Sequence, residues 1–314
     1  MLSRVADNLY WMSRYLERAE HTSRLIAVKL EAMVEQSKEE SENTWRRVIA
    51  ALSGEGSIPP SGDPFDITNA LAFDRFNPAS LITSLRFARD NGRQVRELIS
   101  TELWNHLNQL HLRLAPINMR SIWTDQPAYI FRETIEHLHM LEGITYSTMR
   151  HGEGWHFIQL GRYIERAQLV SRLLELHFGA ASRAAPPPRE FDNIVLLKFC
   201  TAFEAYCKVY TANIQRDRIA EFLLFDSEFP HSVHFSVKHL SMALSHVAPG
   251  APPARRAACE RLAGRLKASV DFGQIEELIG GTIDTFLANV AKQCEQIHDA
   301  VYAAYIAYDA EAVL

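Results

Sequence analysis

The chain has 314 residues, of which 47% are hydrophobic and 23% charged, a composition that supports a large buried core in one domain or in two fused halves. Its formal net charge of -5 and pI near 6.2 lack the basic footprint of a protein built to hold nucleic acid. No apolar run approaches the roughly 20 residues that cross a bilayer, and Met1-Leu2-Ser3-Arg4-Val5-Ala6-Asp7 lacks the apolar core of a signal peptide, so a cytoplasmic location without membrane or nucleic-acid partners is expected.

The first predicted helix runs from about Ser3 to beyond Glu35. At 100° per residue, Leu2, Val5, Leu9, Met12, Leu16, Ala19, Ser23, Ile26 and Leu30 share a core stripe, and Arg14, Glu17, Arg18, His21 and Arg24 gather opposite it. A short helix over Trp45 to Leu52 follows, then a loop from Ser53 to Pro64 rich in Gly, Pro and Ser. After Phe73-Asp74-Arg75-Phe76, Asn77 suits an N-cap and Pro78 the first helical position, so one long helix is expected from there to about His111. Its charged stripe is Arg86, Arg89, Asp90, Arg93 and Glu97. Glu102 falls among Val95, Leu98 and Ile99, where a carboxylate is costly to bury unless paired, so an arginine partner or a chemical role is expected for it. Trp104 and Asn108 would line the cavity around such a pair.

A helix over Pro127 to Met149 leads to the turn His151-Gly152-Glu153-Gly154. Beyond it, Gly161-Arg162-Tyr163-Ile164-Glu165-Arg166-Ala167-Gln168-Leu169-Val170-Ser171-Arg172-Leu173 repeats Ser13-Arg14-Tyr15-Leu16-Glu17-Arg18-Ala19-Glu20-His21-Thr22-Ser23-Arg24-Leu25, sharing Arg-Tyr, Glu-Arg-Ala and Ser-Arg-Leu in register. The small pairs Ala19/Ser23 and Ala167/Ser171 predict close helix approach. Connectors at Pro186-Pro187-Pro188 and Pro249 to Pro253 separate predicted helices over Ile194 to Tyr210, Ala254 to Val270 and Gly273 to Asp309, with another start near Asp217. Phe225-Asp226-Ser227-Glu228-Phe229-Pro230 repeats the Phe-Asp-to-Pro pattern of Phe73 to Pro78. No alternating segment reads as a strand. The expected fold is all-α, an internally duplicated bundle of long antiparallel helices, with residues 1–150 as one repeat and 151–314 as the other, packed as one domain.

Leu9-Tyr10-Trp11-Met12-Ser13-Arg14-Tyr15-Leu16-Glu17-Arg18-Ala19-Glu20, with Gly154 to Ala167 and Ala88 to Trp104, resembles the alpha-E domain family, a bacterial all-helical family named for its Glu-Arg motif. The resemblance runs the whole chain. It implies a helical fold and association with circularly permuted ATP-grasp proteins and transglutaminase-like peptidases, a setting of amide- or peptide-bond chemistry, and brings no agreed catalytic mechanism. Gln168 and Leu169 replace Glu20 and His21 in the second copy, so a role for those two is not shared by both halves.

Arginine offers a planar fork for carboxylates or phosphates, which Lys does not. The repeated Arg/Glu stripes are therefore open to three readings: a solvated surface, an ion-pair network between repeats, or an anion site. In the last, Arg14, Arg18, Arg24, Arg162, Arg166 and Arg172 would hold the carboxylate or phosphate groups of a peptide or small ligand, and Glu17, Glu165 or Glu102 would be the candidates for acid-base work. The expected role is a helical partner of an ATP-grasp-type ligase; the alternatives are a non-catalytic interaction module and a stand-alone enzyme. A di-metal bundle is a further rival, with Glu136-His137-Leu138-His139 and Glu295-Gln296-Ile297-His298 joining Glu17 and Glu165 as ligands. The neighbouring arginines would compete with a cation, so no metal is assigned. Cys200, Cys207, Cys259 and Cys294 read as free thiols, with Cys200 and Cys207 two turns apart on one helical face. Phosphate-cradling and nucleophile-elbow motifs are missing, so no cofactor is expected and ATP chemistry would come from another polypeptide.

Overall fold

A computed structural model describes residues 2–33, 45, 48–52, 62–124, 126–179, 190–247, 253–279 and 281–306, and among these there is no strand. The helices are α1 (Ser3–Ala32), α2 (Pro64–Ala72), α3 (Leu81–Gln94), α4 (Thr101–Leu114), α5 (Met119–Trp123), α6 (Ala128–Thr148), α7 (Glu153–Phe178), α8 (Glu190–Phe199), α9 (Phe203–Tyr210), α10 (Arg216–Phe225), α11 (Val233–His246), α12 (Pro253–Asp271), α13 (Ile275–Ile279) and α14 (Ile283–Val301), with a π-helical turn over Tyr302–Ile306. No helix among the described residues is long and apolar enough to cross a membrane. The fold is all-α, as the patterning predicts.

The two Glu-Arg helices, α1 and α7, form the centre and pack along each other. They run in the same direction. At one end Tyr10 meets His298 and Phe157 meets Tyr305, both on the C-terminal segment; at the other, His177 bonds Asn193 of α8 and Lys29 lies in the field of Asp192, also on α8. Their other partners are antiparallel. α3 crosses α1 through Tyr15 and Phe87, α6 crosses it through Glu20/His139 and Glu31/Arg132, and α11 crosses α7 through Tyr163/His239 and His156/His246. An all-antiparallel bundle is therefore corrected at its central pair.

That pair is close because Gly161 has no side chain. A β-carbon there would overlap Ser13 Oγ and the carbonyl oxygen of Tyr10. Ala19, Ser23, Ala167 and Ser171 are buried further along, as their size predicts. Helices on several sides of α1 leave no solvated face over much of its length, so Glu17, Glu20, His21, Arg24 and Lys29 are buried along with Ala19, Leu25 and Ile26.

The loops before α3 and α11 share a set of hydrogen bonds. Asp74 Oδ1 accepts from Phe76 N, and Asp226 Oδ1 from Glu228 N. Ser80 Oγ donates to Asp74 O and accepts from Thr83 N, while Ser232 Oγ donates to Asp226 O and accepts from Phe235 N. The caps are thus Ser80 and Ser232 rather than Asn77, whose side chain instead closes a turn onto Ala79 N. Phe73-Asp74 and Phe225-Asp226 mark the turn, and the serine six residues after each aspartate starts the helix.

Three expected helices are split. Pro78 to His111 is broken over Val95 to Ser100, where Ser100 Oγ accepts from Leu103 N and starts α4. Ile194 to Tyr210 breaks between α8 and α9 at Thr201, whose φ is 55°. Cys200 and Cys207 consequently sit on either side of a break and not on one helical face. The segment from Gly273 divides into α13 and α14, and its expected last residues lie outside the described ones, as do the end of the first helix beyond residue 33, most of the loop over 53–64 and the proline runs over 186–188 and 249–252. All four cysteines are free. Burial pushes the Cys200 and Cys294 thiols up to about 12 and Cys259 up to about 11, so these three are thiols rather than thiolates at neutral pH.

Candidate functional site

Two helices carrying Glu-Arg at the same level, packed parallel, can place each glutamate beside the other's arginine. That exchange is what the structure contains. Arg166 grips Glu17 with both arms of its fork, Nε to Oε1 at 2.5 Å and Nη2 to Oε2 at 2.8 Å. In return Glu165 accepts from Arg18 Nε at 2.8 Å on one oxygen and from Arg14 Nε at 2.6 Å on the other. Burial alone would push the Glu165 carboxyl up, but Arg14 and Arg18 outweigh it and hold that carboxyl below its ordinary value. A carboxylate so held is a poor proton acceptor near neutrality, which counts against Glu165 as a general base.

Side chains from outer helices complete the two ends. Arg14 also donates to Gln168 Oε1 at 2.9 Å and lies 3.1 Å from His298 Nδ1, which makes Nδ1 the acceptor and His298 the neutral Nε2–H tautomer. Tyr10 stacks on the same ring. At the other end Arg24 pairs with Glu20, which His139 Nε2 also approaches at 3.0 Å; Arg24 reaches His231 Nδ1 at 3.4 Å, and Arg166 donates to Pro230 O. His21 is enclosed here with Nε2 lacking a hydrogen-bond partner among the described residues, and burial pulls its pKa down to about 4. His231 is pulled well down by burial, with Arg166 and Arg24 adding to the effect.

The equivalence is not complete. Arg162, the counterpart of Arg14, does not reach Glu17 but turns outward to Glu142 of α6 at 2.8 Å, and this guanidinium holds the Glu142 carboxyl below its ordinary range. Arg172, the counterpart of buried Arg24, is exposed and makes no ion pair among the described residues. Glu142 and His139 of α6, His298 of α14 and His231 of the turn before α11 complete the site, and no repeat in the sequence singles them out.

Beside the crossed pairs lies a cleft of about 800 Å³. Its floor is one face of α7, from Glu165 through Gln168, Arg172 and Glu175 to Gly179. Arg14 and Arg18 of α1 form one wall, and Asp284, Ala291 and Glu295 of α14 the other. Arg18 is the clamp arginine that reaches this space, with 25% of its side chain exposed, whereas Arg166 and Arg24 are enclosed.

Three expected residues lie elsewhere. Glu102 is exposed in the first turn of α4, where its charge faces the positive end of the helix, and no Glu-Arg arginine meets it. The break before Ser100 changes the phase that had put it among apolar neighbours. Trp104 and Asn108 hold Arg89, the ring 5.9 Å from the guanidinium and Asn108 Oδ1 2.7 Å from Nε, and do not line the cleft. The proposed metal ligands do not converge either. Glu136 and Glu295 are exposed, His137 meets His106 and His139 meets Glu20, and among the described residues no three His, Cys, Asp or Glu are grouped to hold an ion.

Fold and site define a class of all-helical protein organised on a parallel pair of helices whose Glu-Arg motifs exchange ion pairs. The chain belongs to the Alpha-E family, described as a predicted alpha-helical domain with a conserved ER motif, which it matches over residues 1–306. It is also similar to uncharacterized proteins of Mycobacterium bovis and of Mycobacterium tuberculosis strains CDC 1551 and H37Rv, each 24% identical over 315 residues, covering 94% of this chain and 35% of the relative. The chain thus spans about a third of the length of these curated relatives. No solved structure matches it.

Proposed function

We propose that the chain is the helical binding component of an ATP-grasp-type amide- or peptide-bond-forming system, and that it holds a carboxylate-bearing ligand in the cleft through Arg18 and Arg172. The two halves, residues 1–150 and 151–314, are read as a duplication, supported by the matching loops and by the in-register exchange of the motifs. Within this reading the Glu-Arg motifs divide their work. Arg166 and Glu17 clamp α1 to α7, and Arg14 and Arg18 share the single carboxylate of Glu165 at the cleft wall.

That shared carboxylate is the observation that carries the reading. Arg14 spends its other donors on Gln168 and His298, but Arg18 meets Glu165 alone and keeps part of its fork exposed, and arginine forks are suited to a second carboxylate. The ligase setting rests on the family resemblance, and the greater length of the relatives leaves room for further domains. Calorimetric titration of the chain with glutarate tests the site: the double variant Arg18→Ala/Arg172→Ala is expected to abolish binding and keep its helical circular dichroism. An unchanged affinity would remove the anion site.

A second reading has its own support in the enclosure of the Arg166–Glu17 pair, which no ligand can reach without parting the helices. In that reading the chain is an interaction module with a structural Arg/Glu core. Absence of glutarate binding, with an intact complex between the double variant and the ATP-grasp protein, would favour it.

A further inference from the structure

The enclosure of α1 is incomplete along one strip. From Ala19 to Ala27 every residue of the helix is buried, but nearer its start Arg4 is exposed, and Asn8, Trp11, Tyr15 and Arg18, following at three- and four-residue steps, are only half-buried. Trp11 and Tyr15 form a stacked pair in this strip, their ring centres 5.5 Å apart. Phe87 of α3 flanks Tyr15 at 5.2 Å, while Tyr10 and His298 meet Trp11 edge-on at 5.9 and 5.5 Å. Rings held by neighbours in this way need little further ordering when a ligand arrives. The strip joins the cleft at its arginine wall. The Arg14 guanidinium lies 4.9 Å from the centre of the Trp11 ring and that of Arg18 5.5 Å from the centre of Tyr15, and both arginines line the cleft. In the second copy Gln159 stands where the first has Trp11, and the equivalent tyrosine, Tyr163, is covered by Phe235 and His239 of α11. The uncovered aromatic pair therefore belongs to the cleft side alone.

Resting on the carboxylate reading of the cleft, we infer that the ligand is an aromatic carboxylate, its charged end on Arg18 and its ring against the Trp11–Tyr15 pair. Aromatic rings favour offset or edge-on neighbours at about 4.5–7 Å between centres. The spacings within the strip already fall in that range, so a ligand ring extends an array that is in place. A fixed cation beside a flat apolar surface is the combination by which small-molecule sites orient what they bind. Saturated groups of the same size would cover the same area but would lack the edge-to-face attraction between ring quadrupoles, so the pair distinguishes an aryl group from an alkyl one.

The test is calorimetry on the full chain with glutarate, phenylpropanoate and cyclohexylpropanoate. The last two share a carboxylate and nearly the same apolar area, and the phenyl acid is expected to bind about three- to tenfold more tightly, the ratio that one aromatic pairing implies. Trp11→Leu and Tyr15→Leu should each bring that ratio close to one, whereas Trp11→Phe and Tyr15→Phe, which keep a ring, should retain most of it. Equal affinity of the unaltered chain for the two acids, or a preference that survives in both leucine variants, would overturn the aromatic assignment, and glutarate binding would still uphold the carboxylate site. A second readout requires no leucine variant: phenylpropanoate should change the tryptophan emission of the unaltered chain and not that of Trp11→Phe, and a change that persists in Trp11→Phe would place the ring elsewhere. If glutarate and both other acids fail to bind, the carboxylate reading falls and this inference with it.

Discussion

Arg166 meets Glu17 in a two-point, enclosed ion pair, and the equivalent Arg18 meets Glu165 at the edge of a cleft. The same two residue types at the same spacing thus do different work, because one pair is covered by α11 and its leading loop and the other is open on one side.

Removing one partner of the covered pair strands a charge in the interior. Glu17→Ala and Arg166→Ala are each expected to lower unfolding free energy by about 3–5 kcal/mol. Glu17→Leu/Arg166→Leu together should cost much less than the two alanine variants summed, since neither charge is then buried alone. Urea unfolding of the set in a double-mutant cycle measures this, and additive losses would show that the pair is not coupled.

Gly161 marks the closest approach of α1 and α7. Gly161→Ala gains helix propensity of about 1 kcal/mol, yet its methyl would overlap backbone of Tyr10, which cannot rotate away. Net destabilisation of about 1–3 kcal/mol is expected, read as a lower thermal midpoint. Gly143→Ala, where a β-carbon meets nothing, should be neutral or stabilising.

Stability should fall on acidification in two stages. His21 has a folded pKa of about 4 against an ordinary 6.5, so the unfolded chain takes up the proton first. Its contribution is complete above pH 6.5, declines from there to about pH 4, and amounts to about 3 kcal/mol at most. His231 and His139 are shifted in the same direction. Glu165 and Glu142 are also depressed, so their stabilisation is present above the ordinary carboxylate pKa of 4.5 and is lost as pH falls through their folded values. Urea midpoints at pH 8, 6, 5 and 4 should descend, and His21→Gln should flatten the segment between pH 6.5 and 4. An identical slope in that variant would show that His21 does not titrate as described.

Ser80 and Ser232 occupy equivalent caps, each closing a turn onto an aspartate carbonyl and accepting from the first turn of its helix. Ser80→Ala and Ser232→Ala are expected to cost similar amounts, about 1–2 kcal/mol each, and to add when combined because they belong to separate helices. Chemical denaturation of the two single variants and the double checks both points.

Much of this is legible in the amino-acid sequence. Arg14-x-x-Glu17-Arg18 and Arg162-x-x-Glu165-Arg166 on helices of matching phase announced a central pair, and Phe73-Asp74 and Phe225-Asp226 announced matching turns. The break at Val95 to Ser100 had a signal in Ser100-Thr101-Glu102, a serine cap followed by an early acid, but apolar periodicity runs through it and hides the boundary. Glu102 was misplaced for that reason alone.

Periodicity and spacing are local, and they determined the helices, the two stripes and the residue types that face together. Direction, partner and enclosure are properties of the assembled chain. Only the tertiary structure decided that α1 and α7 run parallel, because direction depends on how the chain between them and the helices that cover each flank are arranged in space. It is the parallel register that turns two like stripes into complementary ones, and the uneven cover that buries Arg166 while leaving Arg18 and Arg172 beside open space.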